Sequence, residues 1–538
     1  MTGLRWDSDW RERVWSDLDE PWDVLIVGGG IMGAGVLREA ARGGLRALLL
    51  ESRDFAWGAS SRSTQLVHGG LRYLAQGHLR LTRDSVGERE RLLRETAGLV
   101  EPMPFLLPLH VRQRRRELAY RPLLAGYEAL AGRLPQALSA QEVRWRAPAL
   151  HGEQLRGALR YTEGSTDDAR LVLRVLREAA ALGAVAINGA EVTGLLQRRG
   201  RVIGARVRDR CAGSQAEVRA TVVVNATGVW SDRLRKHAGG SPRMRPVRGS
   251  HLLFPGERFP LATGVVVRSP RDGRPVSVFP WQGATLVGTT DLDHTGSLDE
   301  PAVITADEVA YLLECLEQPF RSLQLTADDV VSTWSGVRPI VSTHRASSSE
   351  ELRDHAVWDE RGLVTVAGGK LTTFRLAARD ALRAAAPHLP PRSAIPRGPA
   401  TPAGADRRLS GRHGAEQAQL VASAQPEDRE QVGDTATTWA EVRWAAQREA
   451  VTALEDLMLR RTRLGLLLPR GGDEVLDRVG DVCRAELGWD AARWERERAS
   501  YLATVRRCCS VPAGTSTVSP AGTASTVIGS GPNGSPSA

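Results

Sequence analysis

A short apolar run that ends in three glycines, DVLIVGGG, most limits how this chain can fold. It leads into IMGAGVLREAARGG, whose apolar spacing predicts a helix that stops at a glycine pair. The next segment, LRALLLE, predicts a second strand that ends at Glu51. Strand, glycine turn, helix and strand in this order predict a parallel sheet that is buried on both faces.

The glycine turn matches the spacing G-x-G-x-x-G at Gly28, Gly30 and Gly33. In this pattern the first glycine makes the tight turn, the second lets a pyrophosphate approach the backbone, and the third lets the helix pack closely on the strand. Glu51 follows about 20 residues later, where an acid can bind the adenosine ribose. We therefore predict a Rossmann-like dinucleotide-binding domain. The motif does not distinguish NAD from FAD.

The pattern of apolar residues changes twice further along the chain. Between residues 246 and 300, short strand-like runs such as HLLF, GVVVR and TLVGTTD alternate with turn residues, which predicts an antiparallel sheet. Residues 415–507 are helical in pattern and poor in strands. The sequence thus predicts a second, sheet-based domain and a helical C-terminal domain.

Charge and composition limit the kinds of partner and binding site that the protein can have. The 538 residues include 72 Lys+Arg and 63 Asp+Glu, a net charge of +9, which permits nucleic acid, an anionic lipid surface or an anionic small molecule as partner. No run approaches the ~18 apolar residues of a membrane-spanning helix, and the charged N-terminus is unlike a signal peptide, so we expect a cytoplasmic protein. Five cysteines without C-x-x-C spacing argue against a zinc ribbon or disulfide scaffold, and we predict no metal site.

The segment SRSTQLVHGGLRYL, residues 61–74, is the most unusual stretch of the chain. Two arginines, a histidine, a glycine pair and several small polar side chains fall within it, and it has a period of neither 2 nor 3.6. Burial of one apolar face does not explain such a segment. An irregular polar loop would not need a glycine pair beside an arginine, so a functional role is favoured.

With this segment the chain resembles the FAD-dependent glycerol-3-phosphate dehydrogenases of the aerobic, quinone-linked kind. The resemblance covers roughly residues 20–385 and, more weakly, 440–465. The motifs occur in the order of that family: GASSRSTQLVHGGLRYL, DDARLVL, NATGVWSD, RGSHLLF, GTTD, SGVRPIV, AGGKLTTFR and EDLMLRRTRLG.

The resemblance implies an α/β fold with a Rossmann-like FAD-binding domain, an antiparallel-sheet substrate domain like that of glucose oxidase and D-amino-acid oxidase, and a helical C-terminal domain. The expected division is a discontinuous FAD-binding domain (20–95, 160–245 and 335–387), a substrate domain (96–159 and 246–334), a linker (388–406), the C-terminal domain (407–510) and a disordered tail (511–538).

FAD is the cofactor that the resemblance implies, held by residues of several motifs. The expected cofactor-binding residues are Gly28, Gly30, Gly33, Glu51, Ser61, Ser63, Thr64, His68, Gly69, Gly70, Val192, Ala226, Gly228, Gly368, Gly369, Leu371 and Thr372. In this view His68 and the following glycine pair pass close to the flavin ring, where a Cβ could collide.

The implied reaction is oxidation of sn-glycerol 3-phosphate to dihydroxyacetone phosphate, with hydride transfer from C2 to FAD and electrons passed to a membrane quinone. Arg72, Arg338 and Lys370 are the candidate cations for the phosphate, and Tyr73 is a further substrate contact. His251 is the candidate base, because its ordinary pKa suits proton abstraction near neutral pH. A core histidine is the alternative for His251, and Arg338 could instead stabilise the alkoxide.

A quinone-linked enzyme must reach the membrane, and residues 103–134 are the candidate region. Basic residues (Arg112, Arg114, Arg115, Arg116 and Arg121) lie between leucine-rich stretches, and Leu106, Leu107, Leu123 and Leu124 are the expected inserting residues. We expect peripheral attachment to the cytoplasmic face of the cell membrane. A homodimer is the assembly considered.

Three other functions stay open. One is a glycerol-3-phosphate oxidase that passes electrons to oxygen, which no motif excludes. Another is a tRNA-modifying flavoprotein, but no basic patch beyond Arg112 to Arg116 suggests one, and we expect no nucleic-acid partner. A flavin-binding protein without catalysis is the third, and the presence of Arg72, His251, Arg338 and Lys370 argues against it.

Overall fold

The computed structural model describes residues 6–7, 9–110, 114–152, 154–343, 354–389 and 406–515, with side chains 114–117 left out. The strands, in chain order, are β1 (Trp22–Val27), β2 (Ala47–Leu50), β3 (Leu66–Val67), β4 (Glu101–His110), β5 (Gln136–Ser139), β6 (Leu155–Ser165), β7 (Val185–Ile187), β8 (Ala190–Arg198), β9 (Arg201–Asp209), β10 (Gln215–Asn225), β11 (Met244–Pro255), β12 (Gly264–Arg268), β13 (Pro275–Trp281), β14 (Ala284–Gly288), β15 (Leu292–Asp293), β16 (Ser332–Val341), β17 (His355–Glu360) and β18 (Leu363–Gly368).

The helices alternate with these strands and then dominate the C-terminal part. In chain order they are α1 (Trp10–Ser16), α2 (Ile31–Arg42), α3 (Leu71–Ala75), α4 (Leu79–Glu95), α5 (Arg114–Leu130), α6 (Ala140–Arg146), α7 (Asp168–Ala181), α8 (Ser231–His237), α9 (Ala306–Glu317), α10 (Phe374–Ala385), α11 (Arg407–His413), α12 (Gln417–Ser423), α13 (Trp439–Arg448), α14 (Leu454–Asp456), α15 (Leu464–Leu467), α16 (Leu476–Leu487) and α17 (Ala491–Cys508).

The first sheet has a parallel centre in the order β18-β10-β1-β2-β7, with β17 antiparallel at one edge. Its central strands are almost fully buried because α2 and its neighbours α7 and α10 pack on the sheet. A hairpin of β8 and β9 extends from β10. This arrangement confirms the Rossmann-like domain, and it brings the carboxyl ends of β1, β2, β10 and β18 to one edge.

The second sheet has the order β15-β11-β14-β13-β12-β4-β6-β3, with β16 beside β11 and β5 beside β6. Within the described residues each pairing in it is antiparallel except that of β12 with β4. The antiparallel-sheet domain is thus confirmed. Because β6 and β16 are hydrogen-bonded within this sheet, we propose domain boundaries that follow the sheet and assign both strands to the substrate domain.

The C-terminal part consists of α11 to α17 and short turns, as predicted. It docks on β16, where the Ser332 hydroxyl donates to the Leu466 carbonyl at 2.7 Å and the Thr333 N–H donates to the Cys509 carbonyl at 2.8 Å. The predicted linker and tail lie largely outside the described residues, at 390–405 and 516–538.

The region predicted to meet a membrane differs in detail from expectation. Leu106 on β4 and Leu124 on α5 are 0% and 2% exposed, because both side chains belong to the core, so the prediction that they insert into lipid is wrong. Leu107 and Leu123 are half-buried. Arg112 and the side chains of Arg114, Arg115 and Arg116 lie outside the described residues. No helix in the described part of the chain is long and apolar enough to cross a membrane.

Candidate active site

A cavity of about 640 Å³ lies where the parallel strands of the first sheet end. Val27 and Leu50, the last residues of β1 and β2, line it together with Gly368 at the end of β18. Its volume is within the range of natural ligand sites. The predicted residues that line it are Gly28, Gly30, Glu51, Ser63, Thr64, His68, Val192, Ala226, Gly228, Arg338, Gly368, Gly369, Lys370 and Leu371.

The glycine turn at the start of α2 leaves no room for side chains. Gly28 has φ +113°, a conformation that favours glycine. A Cβ at Gly33 would lie 1.9 Å from the Gly28 carbonyl oxygen, so only glycine permits this packing of helix on strand. Gly30 precedes the first turn of α2, and both Gly28 and Gly30 line the cavity. The N–H groups at the start of a helix suit a pyrophosphate.

Glu51 is held in a fixed orientation at the end of β2. Its carboxylate accepts the Gly29 N–H at 2.7 Å and the Arg53 N–H at 2.8 Å. Burial raises the pKa of this carboxyl above its ordinary value, against the opposing effect of the two N–H donors. A carboxylate at this position of the cavity wall can accept the hydroxyls of a ribose. The residues present therefore fit the adenosine half of a dinucleotide.

The serine that faces the cavity is Ser60, one residue before the predicted Ser61. The Ser60 hydroxyl lines the cavity and accepts the Ile31 N–H at 3.0 Å. Ser61 is buried away from the cavity, and its carbonyl accepts a hydrogen bond from Arg463 at 3.1 Å. The sequence could not separate the two serines, because the irregular segment has no period that would assign each side chain to a face.

Several residues of the cavity wall were not predicted, among them two tryptophans and Arg62. Trp57 and Trp230 line it with ring centroids 6.1 Å apart. The guanidinium of Arg62 lies 4.9 Å from the Trp57 ring centroid, and burial lowers the pKa of this arginine. The Arg62 side chain also donates to the Trp57 carbonyl. Arg62 lies inside the segment 61–74 and Trp57 lies four residues before it. The unusual composition of that segment was the sequence signal that could have indicated both residues.

The glycine pair of the HGG motif packs against protein and does not line the cavity. A Cβ at Gly69 would lie 2.4 Å from the Tyr127 hydroxyl oxygen. Gly70 has φ +81°, and a Cβ there would lie 2.4 Å from the Tyr73 ring. Neighbouring tyrosines therefore require glycine at both positions. Their approach to the flavin stays a prediction. Thr372 also lies off the cavity, where its hydroxyl donates to the His68 carbonyl at 3.0 Å.

Arg72 and Tyr73, the predicted substrate contacts on α3, do not line the cavity. Tyr73 is buried, and its ring centroid lies 4.4 Å from Lys370 Nζ. The Arg72 guanidinium lies 5.7 Å from the centroid of the same ring. Gly70 lies directly before α3, and Tyr73 packs in the core beside Lys370. Arg72 and Lys370 therefore contact the same ring, but only Lys370 of the two is among the residues that line the cavity.

Lys370 and Arg338 supply positive charge to the same cavity. Lys370 Nζ donates to the Ser85 hydroxyl at 2.6 Å. Arg338 donates to the Thr289 hydroxyl at 2.8 Å and forms an ion pair with Asp291 at 3.0 Å. These interactions fix both side chains without closing them off from the cavity, which both line. Such a pair of cations suits a phosphate-bearing substrate.

His251 on β11 is buried and reaches the cavity through Thr64. Its Nε2 lies 3.0 Å from the Thr64 hydroxyl oxygen, and its ring stacks on Trp334 with centroids 5.3 Å apart. Burial and, secondarily, Arg338 lower the pKa of His251 to about 3, so the imidazole is neutral at physiological pH. Thr64 lines the cavity whereas His251 does not. A proton from a bound molecule can therefore reach the imidazole by way of the threonine hydroxyl.

A substitution at Gly33 tests the glycine turn. Gly33→Ala is expected to weaken FAD binding by on the order of tenfold or more, because the added methyl displaces the Gly28 carbonyl. FAD per protein chain in purified material is the measurement. Gly87→Ala on α4 is the matched control, since its methyl would meet no atom within 4 Å. Full FAD occupancy in Gly33→Ala would contradict this account of the turn.

Comparisons with known proteins agree with this geometry. Residues 23–395 match the family model of FAD dependent oxidoreductases, and residues 378–494 match that of the C-terminal domain of alpha-glycerophosphate oxidase. A glycerol-3-phosphate dehydrogenase of Mycobacterium leprae is 36% identical over 530 residues, covering 90% of this chain and 88% of the relative. The aerobic glycerol-3-phosphate dehydrogenase of Bacillus subtilis is 36% identical over 383 residues, covering 70% of this chain and 69% of the relative.

A solved structure gives the same result over most of the chain. The glycerol-3-phosphate dehydrogenase of Bacillus halodurans complexed with FAD superposes with a TM-score of 0.73 at 28% identity, covering 92% of this chain and 97% of that one. FAD as cofactor is thereby confirmed. In the described residues no group of three or more His, Cys, Asp or Glu side chains could hold a metal ion. The chain belongs to the family of FAD-dependent glycerol-3-phosphate dehydrogenases.

Proposed function

We propose that this protein oxidises the C2 hydroxyl of sn-glycerol 3-phosphate to give dihydroxyacetone phosphate and passes the electrons to a membrane quinone. The observation that carries the proposal is the convergence of Arg338, Lys370 and Thr64 on one cavity, with His251 behind Thr64. Two cations suit the phosphate, and a hydroxyl backed by a neutral imidazole suits the proton of the reacting alcohol. Bound FAD supplies the acceptor of the substrate's two electrons.

The two cations stand on different elements and are held by different neighbours. Arg338 is anchored by Asp291 and Thr289 and stands on β16, the strand paired with the His251 strand β11. Lys370 stands at the glycine turn after β18. We propose that the flexible, point-charged Lys370 and the planar Arg338 together bind the substrate phosphate and hold the C2 hydroxyl toward Thr64. Arg338 as a stabiliser of the alkoxide is the alternative role.

Proton removal is assigned to the pair Thr64 and His251. The neutral imidazole accepts a proton as the Thr64 hydroxyl accepts one from the substrate hydroxyl. Arg338 opposes the positive charge of the resulting imidazolium, and the phosphate dianion of bound substrate would offset that opposition. Bound substrate would therefore weaken the smaller of the two causes that lower the His251 pKa, while burial, the larger cause, remains.

For the acceptor we propose docking on an anionic membrane through the exposed apolar residues between positions 118 and 145, which are Leu118, Leu130, Leu134 and Trp145. Leu134 and Trp145 are 84% and 77% exposed, an unusual position for side chains of this size. Arg144 and Arg146 flank Trp145 and are exposed as well. Arginine beside exposed tryptophan and leucine is the composition of a peripheral membrane contact.

One assay tests acceptor and docking together. With sn-glycerol 3-phosphate and quinone-loaded anionic vesicles, we expect quinone reduction and little hydrogen peroxide. Leu134→Glu combined with Trp145→Glu is expected to slow quinone reduction at least about tenfold, because it removes apolar surface and adds repulsion, and to leave activity with a soluble dye unchanged. Leu182→Glu, at another exposed apolar position, is the control.

Three outcomes would contradict these proposals. Peroxide formed in proportion to substrate would make the protein an oxidase. Equal rates of quinone reduction by the double variant and the control would contradict the proposed docking surface. A doubled molecular mass that the double variant loses, without any dependence on vesicles, would instead assign this surface to a homodimer.

A further inference from the structure

Three buried arginines of the C-terminal domain have no part in the reaction described above. Arg460, Arg461 and Arg463 come from the EDLMLRRTRLG segment and are each 2% exposed or less. Burying a guanidinium is costly unless its donors are paired. All three reach across to the FAD-binding domain, so their partners show what they do.

Arg463 holds the segment that lines the cavity at residues 60–64. One of its nitrogens donates to the Ser61 carbonyl at 3.1 Å, and another donates to Asp167 at 3.0 Å. A third donates to Asp168, whose carboxylate also accepts the Ser63 N–H at 2.8 Å. A single guanidinium therefore fixes the backbone at Ser61 directly and at Ser63 through Asp168.

Arg460 and Arg461 hold the chain at Asp54, six residues before this segment. Arg461 binds both Asp54 oxygens at 2.7 Å, and Arg460 binds one of them as well. These cations hold the pKa of the Asp54 carboxyl well below its ordinary value, although burial opposes them. Asp54 lies between Glu51 and Trp57, both of which line the cavity.

Between these two anchors the chain presents its side chains to the cavity. Trp57, Ser60, Arg62, Ser63 and Thr64 all line it. Thr64 directly follows the residue that Asp168 holds, and its hydroxyl lies 3.0 Å from His251. Arginines of the C-terminal domain thus hold the backbone of this stretch, and its side chains line the cavity.

We infer that Arg460, Arg461 and Arg463 are positioning residues for the flavin site. The C-terminal domain thus sets the geometry of residues that line that site. Bidentate arginine–carboxylate pairs fix geometry more strictly than apolar packing, and small displacements near a reacting group lower rates steeply. The inference rests on the flavin site proposed above. Its main readout is flavin affinity, which does not depend on the base or on the electron acceptor.

The experiment compares Arg463→Lys and Arg463→Gln with Arg484→Lys and Arg484→Gln in the full chain. Arg484 is an exposed arginine of the same domain, paired with Asp481 three residues before it. The FAD dissociation constant is measured by flavin fluorescence, apo-protein stability by thermal unfolding, and kcat and KM at saturating FAD. Lysine keeps the charge but cannot reach Ser61, Asp167 and Asp168 together.

For Arg463→Lys we expect an FAD dissociation constant at least about tenfold higher, a kcat at least about tenfold lower at saturating FAD, and a KM within about threefold of wild type. Arg463→Gln should be affected more strongly, and the Arg484 variants should match wild type. Affinity and kcat within about twofold of wild type in Arg463→Lys would overturn the inference.

Two further outcomes would also overturn it. Equal losses in the Arg484 variants would show only a general sensitivity of the domain. An Arg463→Lys apo-protein that no longer folds would make the arginine a determinant of folding and not of position. If wild-type flavin did not respond to sn-glycerol 3-phosphate, the proposed substrate would fail while the affinity comparison stayed valid.

Discussion

Arg338→Ala and Lys370→Ala are each expected to lower kcat/KM for sn-glycerol 3-phosphate by about 100-fold or more. A factor of about 100 corresponds to about 2.7 kcal/mol, the strength of a charge-assisted hydrogen bond in a site shielded from water. Both side chains line the cavity and are held by neighbours, Arg338 by Asp291 and Lys370 by Ser85. Steady-state kinetics with a soluble acceptor measures the effect.

Two controls make that result specific. Arg271→Ala removes an arginine of the substrate domain that pairs with Asp307 and Glu314 at the surface, and its kinetics should match wild type. Unphosphorylated glycerol should be a poor substrate for every variant, because it lacks the group that the cations bind. Near-normal kcat/KM in both cavity variants would remove Arg338 and Lys370 from the substrate site.

His251→Asn is expected to lower kcat by about 100-fold while the dissociation constant of dihydroxyacetone phosphate changes less than about threefold. A proton acceptor acts in the transition state, whereas a phosphate ligand also acts in the ground state. Thr64 lines the cavity and its hydroxyl contacts His251 Nε2, so Thr64→Val should also lower kcat. Stopped-flow reduction and product titration separate the two quantities.

The pH dependence of stability gives a second readout for His251. Its pKa lies at about 3 in the folded protein, below the ordinary value of 6.5, so protonation favours the unfolded chain. This contribution to stability is present above pH 6.5 and is lost as the pH falls toward 3. The unfolding free energy of His251→Asn should therefore fall less steeply than that of wild type across this window.

For the kinetic prediction, an unchanged kcat with much weaker product binding in His251→Asn would instead make His251 a binding residue.

Local sequence pattern predicted much of the first sheet. DVLIVGGG and the following helix formed as expected because an apolar run, a glycine turn and a capped helix are determined by near neighbours. The same reasoning singled out Gly28 and Glu51, which line the cavity, and Gly33, which packs against the Gly28 carbonyl. The second sheet was predicted in kind from its turn residues, but its strand order depends on pairings between distant segments such as β4 and β12.

Side-chain direction in irregular segments could not be predicted in the same way. Ser60 and not Ser61 lines the cavity, and Gly69 is required by Tyr127 on the distant helix α5. Leu106 and Leu124 were expected to face lipid, yet the substrate domain buries both. His251 was chosen for its ordinary pKa, whereas burial beside Arg338 shifts that pKa to about 3. Each of these features depends on tertiary packing that local spacing does not contain.

Absorbance spectroscopy of the purified protein under anaerobic conditions tests the central claim most directly. We expect oxidised flavin bands that bleach on addition of sn-glycerol 3-phosphate but not of glycerol, and denaturation should release FAD. Bleaching by this substrate would show in one observation that the bound cofactor is a flavin and that sn-glycerol 3-phosphate reduces it. Flavin bands that persist with sn-glycerol 3-phosphate, or protein that releases FMN or no flavin, would contradict the account.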